Sequence, residues 1–523
     1  MHDATARMNL SDSDRARAEL ERAVQGGDAE QIARAAMINV WPLLTSHTQL
    51  LVSTVSALDA HTLQRYPVLR IVHPMTAVLA GSSRSFKPEM YSEHARTMSA
   101  EEIDFVVLTQ IIAYRTNGDV DAALLYAKRL SDRIRDVQHE SRDRLDGPRW
   151  YFHHQIAATY LAAGDTGRAL QELGTTRHLA RLSAQPDAER AALGRIALAH
   201  AARGALGEAE LALREAQGRP DPTPAHASSC ISTENVAAAI ISVDRLADDV
   251  EERLTALPAY ESIELAWPLA LLAKTRMLLA WQRPDDALEA VRLARIAHPI
   301  QPGSLAADAV HATTIMSLME ADEVPHARTV AEQAAVRSGV LTRLATVRLA
   351  LREGDVSEAN RLLRVLDQDH SRGPAQRAET ALLSAWLEFL RTGALDRQAV
   401  AQMERVVHRR DNRRLLLSIP RQLVDAVRAG LPGERIGAFD AAVGDHARVE
   451  IEPLPDLTAG ERRVLGSLRD GRSTAQLAAD FHVSPNTIKS QLRSIYRKLG
   501  CSSRTEALRV AERLRLLDAA DDR

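Results

Sequence analysis

Between about Asp104 and Val427 the chain repeats one pattern of apolar and polar positions. An apolar stretch of helical period stops at a small residue, and a second amphipathic stretch opens on a phrase of the type D-x-x-x-A-L. "IIAYRTNGDVDAALLYAKRL", "AATYLAAGDTGRALQEL" and "ALAHAARGALGEAELALREA" show it early; "MLLAWQRPDDALEAVRLAR", "RLALREGDVSEANRLLRVL" and "LEFLRTGALDRQAVAQMERV" show it late. The turn residues fall at Gly118, Gly164, Gly204, Pro284, Gly354 and Gly393. Three of the five intervals lie near 40 residues, and the two wider ones, after Gly204 and after Pro284, each leave room for one degenerate repeat. The pattern predicts helical hairpins. Glycine ends the first helix because it takes the left-handed conformation without a Cβ penalty. The following Asp119, Asp165 or Asp355 caps the second helix. Ala169, Ala209, Ala287 and Ala359 are small enough for the paired helices to approach closely. One hairpin cannot cover its own apolar face, so the hairpins are expected to stack into a superhelix.

Residues 12–100 show weaker helical periodicity, and 431–456, "LPGERIGAFDAAVGDHARVEIEPLPD", lose it in a Gly, Pro and Asp-rich stretch that reads as a linker. The expected order is an N-terminal helical region at 1–100, a helical-repeat sensor or interaction domain at 101–430, a linker at 431–456 and a compact module at 457–520. In that module, helices are predicted at about 459–469, 474–481, 485–499 and 504–517. Thr458-x-x-Glu461, Ser473-x-x-Gln476 and Ser503-x-x-Glu506 read as capping boxes, and Ser484-Pro485 as an N-cap followed by proline at the first helical position. Gly471 and Gly500 supply stops.

The second and third helices are joined by "HVS", too short for anything but the sharp corner of a helix-turn-helix. Ala478 is small where these helices cross, and Val483 and Ile488 are expected to fill the wedge. His482 stands at a position that calls for positive φ. Along the third helix Ile488, Leu492, Ile495 and Leu499 form an apolar stripe, while Asn486, Lys489, Ser490, Arg493 and Arg497 lie on the other side. Lys489, Arg493 and Arg497 are one turn apart and project along one line, which suits a helix lying in the DNA major groove.

Charge sharpens this picture. Residues 457–517 hold 12 Lys/Arg against 5 Asp/Glu, whereas the remainder holds 54 against 64. A basic module on an acidic body points to a polyanion as the module's partner. The aromatic content of 4%, with abundant Ala, Leu and Arg, favours an all-α fold. Cys230 and Cys501 read as free thiols of a reducing cytosol, and no apolar run reaches membrane-spanning length, so a cytoplasmic protein without membrane contact is expected. No metal-ligand spacing is present; His139-Glu140 lacks a second histidine four residues after the first. The chain has five lysines, none after a glycine, which excludes a phosphate-cradling G-K-[ST] loop within it. No catalytic residue, cofactor or metal is expected.

"LTAGERRVLGSLRDGRSTAQLAADFHVSPNTIKSQLRSIYRKLGCSSRTEALRVAERLRLL" resembles the LuxR-type helix-turn-helix domain, with "LT-x-x-E", "S-x-N-T-I-K", "KLG" and "R-x-E-A" in register. The hairpin phrases resemble degenerate tetratricopeptide repeats. The "IY-x-KLG" phrase and "VSALDAHTLQRYPVLRIVHP" resemble maltose-activator-type regulators, whose ATPase module has no counterpart here. The resemblance places Lys489, Ser490 and Arg493 at base contacts, and Ser484, Asn486, Thr487, Arg497 and Lys498 at phosphates. Gln491 departs from the family, which often has His there. The resemblance also assigns the fourth helix to homodimerisation through Ala507, Val510, Ala511, Leu514 and Leu517; packing on the first helix is the other reading of that stripe. It implies a transcriptional regulator, by family habit an activator, with double-stranded DNA and RNA polymerase as partners. A protein, peptide or small-molecule effector on the repeats would supply the input. The alternative is a helical-repeat interaction scaffold with residual DNA binding. "WYFHH" at 150–154 reads as a ligand-pocket wall or as packing, and "HRRDNRR" at 408–414 as a second DNA patch or a solvated helix face.

Overall fold

A computed structural model describes residues 12–66, 69, 72, 100–136, 138, 140–143, 147–223, 226–260, 263–444, 457–499 and 501–513. Every regular element among the described residues is helical, so the fold is all-α. The chain divides into two compact units, one of residues 1–342 with 371–377 and one of 343–370 with 378–523.

The repeating hydrophobic pattern folds as helical hairpins. Ala100–Thr116 pairs with Val120–Asp136, Arg149–Ala162 with Thr166–Leu182, and Ala188–Arg203 with Leu206–Gln217. Trp267–Ala280 with Pro284–Ala297 and Leu305–Glu320 with Val324–Ala334 continue the series. The corners share one geometry. Gly118, Gly164, Gly204, Leu246, Gln282, Asp322 and Gly354 all have positive φ. At each, the left-handed residue donates its N–H three residues back and the next residue donates five back, as in Gly164 N to Leu161 O and Asp165 N to Tyr160 O, both at 2.9 Å. This double closure satisfies carbonyls that the helix end would otherwise leave bare.

These positions settle the two wide intervals. Leu246 lies between Gly204 and Gln282, and Asp322 between Gln282 and Gly354. The corner assigned to Pro284 belongs to Gln282, and Pro284 is the first residue of the next helix. Five residues after six of these corners stands an alanine with no exposed surface: Ala123, Ala169, Ala209, Ala287, Ala327 and Ala359. Asp119, Asp165 and Asp355 cap the following helices through bonds of 2.9–3.0 Å to Ala122, Arg168 and Glu358 N–H groups, each worth about 1 kcal/mol.

The core of the first unit runs continuously from Ala157 to Val310, mostly through Ala, Leu, Val and Ile. Ahead of it, the helices Asp12–Gly26, Ala29–Ile38, Val40–Ser46 and Thr48–Ser56 enclose a separate core around Leu20, Leu43 and Leu51. "HRRDNRR" is not a continuous helix face. Arg397–His408 ends there, a 3-10 turn spans Arg410–Asn412, and buried Asn412 donates to the Val406 carbonyl at 3.1 Å.

The expected linker is partly helical. Gly433–Val443 forms a helix with Phe439 and Val443 buried, tied by Asp440 to Arg428 at 2.9 Å and by Arg435 to Glu404 at 3.2 Å. Its glycines masked two well-spaced apolar anchors. Residues 445–456, all of 73–99 in the expected N-terminal region and 514–520 of the expected module lie outside the described residues.

Candidate nucleic-acid interface

The C-terminal module consists of helices Ala459–Ser467, Thr474–Asp480, Pro485–Leu499 and Arg504–Arg513. Two capping boxes form as their sequences require. Thr458 N–H donates to Glu461 at 2.7 Å while Glu461 N–H donates to Thr458 Oγ1 at 3.2 Å, and Ser473 exchanges the equivalent bonds with Gln476 at 2.8 and 3.3 Å. The third box forms by half. Glu506 N–H donates to Ser503 Oγ at 3.2 Å, but the Glu506 carboxylate accepts from Ser502 N and Oγ at 3.0 and 3.1 Å. Ser484 caps the third helix, its Oγ 3.1 Å from Thr487 N and 2.8 Å from Thr487 Oγ1.

The apolar stripe seats this helix. Ile488 and Ile495 are fully buried, Leu499 nearly so and Leu492 half-buried, in one core with Val464, Leu465, Leu477 and Ala478. The corner before it closes at His482, φ 53°, with His482 N to Ala479 O at 3.2 Å and Val483 N to Ala478 O at 3.0 Å. The positive φ anticipated for His482 is therefore present. Val483 corrects the expectation that it fills the wedge: it is 39% exposed, because the closed corner turns it outward. Phe481 packs against the core.

Most charges in the module bind it to itself. Arg504 donates to the Arg472 and Leu468 carbonyls at 2.7 and 2.6 Å, and Arg472 pairs with Asp480 at 2.7 Å. Lys498 Nζ lies 2.8 Å from Glu461 Oε2, with Glu461 almost wholly buried. Burial pushes the Glu461 carboxyl up, but Lys498, Ser494 and the Thr458 bonds outweigh it and hold its pKa at about 2. Lys498 is thus separated from the residues it was grouped with: it joins the third helix to the first. Spacing along one helix carries no trace of a partner 37 residues away.

Lys489, Arg493 and Arg497 behave differently. All three are exposed and none makes an ion pair or hydrogen bond with the described residues. Successive groups are about 6 Å apart along the axis, so the line covers roughly 12 Å, the rise of three to four base pairs. Asn486 and Ser490 are exposed beside them. The third helix therefore presents three cations without an ion pair among the described residues, beside two short exposed polar side chains, on one line.

The family model described as "Bacterial regulatory proteins, luxR family" matches residues 455–511. The C-terminal module is a LuxR-type helix-turn-helix domain. It is 44% identical over 64 residues to the probable transcriptional regulatory protein NarL of Mycobacterium tuberculosis, covering 12% of this chain and 30% of that protein. Similarity to the nitrate/nitrite response regulator protein NarP of Escherichia coli is 34% over 96 residues, 17% of this chain and 44% of that protein. The HTH-type transcriptional regulator MalT of Yersinia pestis is 43% identical over 58 residues, 11% of this chain and 6% of MalT. The chain thus spans less than half the length of each relative.

Within this LuxR-type domain the fourth helix turns part of its apolar stripe inward. Ala507 and Ala511 have no exposed surface and belong to the domain's own core, and Val510 packs half-buried against it. Small residues here let the fourth helix lie close to the third and first. Leu514 and Leu517 lie outside the described residues.

Proposed function

We propose that the chain is a sequence-specific DNA-binding transcriptional regulator, acting as an activator, whose helical hairpins receive a ligand or protein signal. The observation that carries this reading is the line of Lys489, Arg493 and Arg497, left unneutralised while Arg472, Lys498 and Arg504 are bonded inside the domain. A helix bearing such a line fits the major groove, where Arg and Lys donate to guanine O6 and N7. Lys489, Ser490 and Arg493 read bases in this proposal, and Ser484, Asn486, Thr487 and Arg497 hold phosphates. Lys498 is assigned to the scaffold. The matched relatives are named as regulators, and the proposal gives the chain no catalytic step. Among the described residues no His/Cys/Asp/Glu group is arranged to hold a metal, and no helix is long and apolar enough to cross a membrane.

Selection of bound duplexes from a random pool tests the proposal. A defined enriched sequence is expected, with retention falling steeply as salt rises. Recovery of no enriched sequence would favour the interaction scaffold instead.

A further inference from the structure

The helices Arg149–Ala162, Ala188–Arg203 and Ala227–Arg245 border a cleft that is partly open to solvent. Three residues of its lining form an aromatic wall: Trp150 lies 5.5 Å from Tyr151 and 6.3 Å from His226, ring centre to ring centre, and Tyr151 stacks on His226 at 6.4 Å. "WYFHH" thus divides. Trp150, Tyr151 and His154 line the cleft, whereas Phe152 packs on Trp41 and His153 bonds Glu172 at 2.8 Å.

Arg195 lines the same cleft, 5% exposed. Its one hydrogen bond runs from Nη1 to the His154 carbonyl at 3.3 Å, and its buried Nε has no acceptor. No carboxylate among the described residues pairs with it. Glu264, the acid of the cleft lining, is held by Arg115 Nε at 2.7 Å, and Arg115 also donates to Gln155 Oε1 at 2.8 Å. Asp187 is taken by His226 at 3.1 Å and by Thr223 N and Oγ1, both at 2.7 Å. Burial first, then Arg195, His226 and Arg115, drives His154 towards neutrality, and its Nδ1 is a second buried polar atom without a partner. Among the described residues, Arg115 from outside the lining neutralises Glu264, and Arg195 is left in the cleft without an ion-pair partner. Burial and the neighbouring Arg115 lower the Arg195 pKa to about 10, which leaves it cationic at neutral pH.

Arg190, five residues earlier on the same helix, shows how the fold treats a structural arginine: it pairs with Glu234 at 2.8 Å and Asp221 at 3.1 Å. A buried charge without such a partner is costly to keep.

We propose that this cleft binds a small organic monocarboxylate, its carboxylate on the Arg195 guanidinium and its apolar body against Trp150 and Tyr151. The single cation of the lining, left without an ion-pair partner among the described residues, matches one negative charge. A guanidinium takes a carboxylate in fork geometry, while a phosphate dianion would reverse the imbalance. The proposal deepens the regulator reading by giving the signal a chemical class, and it rests on that reading only for the ligand's role as effector.

The test uses calorimetric titration of the full chain with phenylacetate and hexanoate, against phenylacetamide and phenyl phosphate. At least one carboxylate is expected to bind, at least tenfold more tightly than phenylacetamide and phenyl phosphate. Arg195→Met should weaken it at least tenfold without lowering the melting temperature, since it removes an unpaired charge. Binding of neither carboxylate, equal binding of the amide, or preference for phenyl phosphate overturns the proposal. So does a folded Arg195→Met variant that binds as wild type does. Random-duplex selection on the same preparation separates the two readings: DNA selection without carboxylate binding ends the cleft proposal alone, and carboxylate binding without DNA selection ends the regulator reading alone.

Discussion

Arg493 and Lys498 lie five residues apart on one helix, and their charges do different work. Arg493 is free and exposed, so Arg493→Ala should cost about 1–3 kcal/mol of discrimination between a selected duplex and its shuffled form, read by fluorescence anisotropy. Lys498→Ala leaves Glu461 buried without its cation and should destabilise the domain by on the order of 2 kcal/mol, discounted for the partial exposure of the lysine. Reduced hydrogen-exchange protection across residues 485–499 would show it. The Glu461 carboxyl titrates near 2 in the fold against an ordinary 4.5. Because its folded pKa is depressed, its stabilisation is complete above about pH 4.5 and is lost as pH falls towards 2. Protection of 485–499 should decline across that window in the wild type, and Glu461→Gln should flatten the decline. The free cations were legible in the sequence, because one-turn spacing fixes which side chains share a line. The Lys498–Glu461 clamp was not, since its partners meet only after the first and third helices pack.

At the scale of the helix and its corner, the sequence showed the hairpins wherever glycine supplied the left-handed residue. Leu246, Gln282 and Asp322 occupy the same conformation without that signal, and these corners were recovered only as gaps in a spacing. Gln282 is exposed and carries a left-handed strain of about 1–2 kcal/mol, so Gln282→Gly should raise the urea midpoint of the chain. Gly164 and Gly204 invite a paired comparison. A Cβ at Gly164 meets nothing within 4 Å, whereas one at Gly204 would stand 2.1 Å from Ala375 Cβ. Gly164→Ala should cost only the conformational strain, and Gly204→Ala about 1–3 kcal/mol more from overpacking, both read from denaturant midpoints. The fourth helix of the LuxR-type domain leaves two readings open for a related reason. A stripe of Ala and Leu looks alike whether it faces a partner or the domain's own core, and the structure shows Ala507 and Ala511 facing the core.

For the molecule as a whole, charge separation along the chain supports the functional reading. Residues 457–517 have an excess of seven positive charges and the rest an excess of ten negative charges. Affinity for any duplex should therefore come largely from counterion release at the basic domain, and Arg497→Ala, which removes a proposed phosphate contact, should reduce the slope of log K against log salt by about 1. The all-α class and the helix-turn-helix were readable because period, caps and composition agree. The unpaired Arg195 was invisible, because a buried arginine with a partner and one without look the same in sequence. The central claim is that Lys489, Ser490 and Arg493 read a DNA sequence, and parallel duplex selection by the wild type and by the Lys489→Ala/Arg493→Ala variant tests it most directly. The wild type should enrich a defined motif that the variant fails to enrich; recovery of the same motif at the same affinity by both proteins would contradict it.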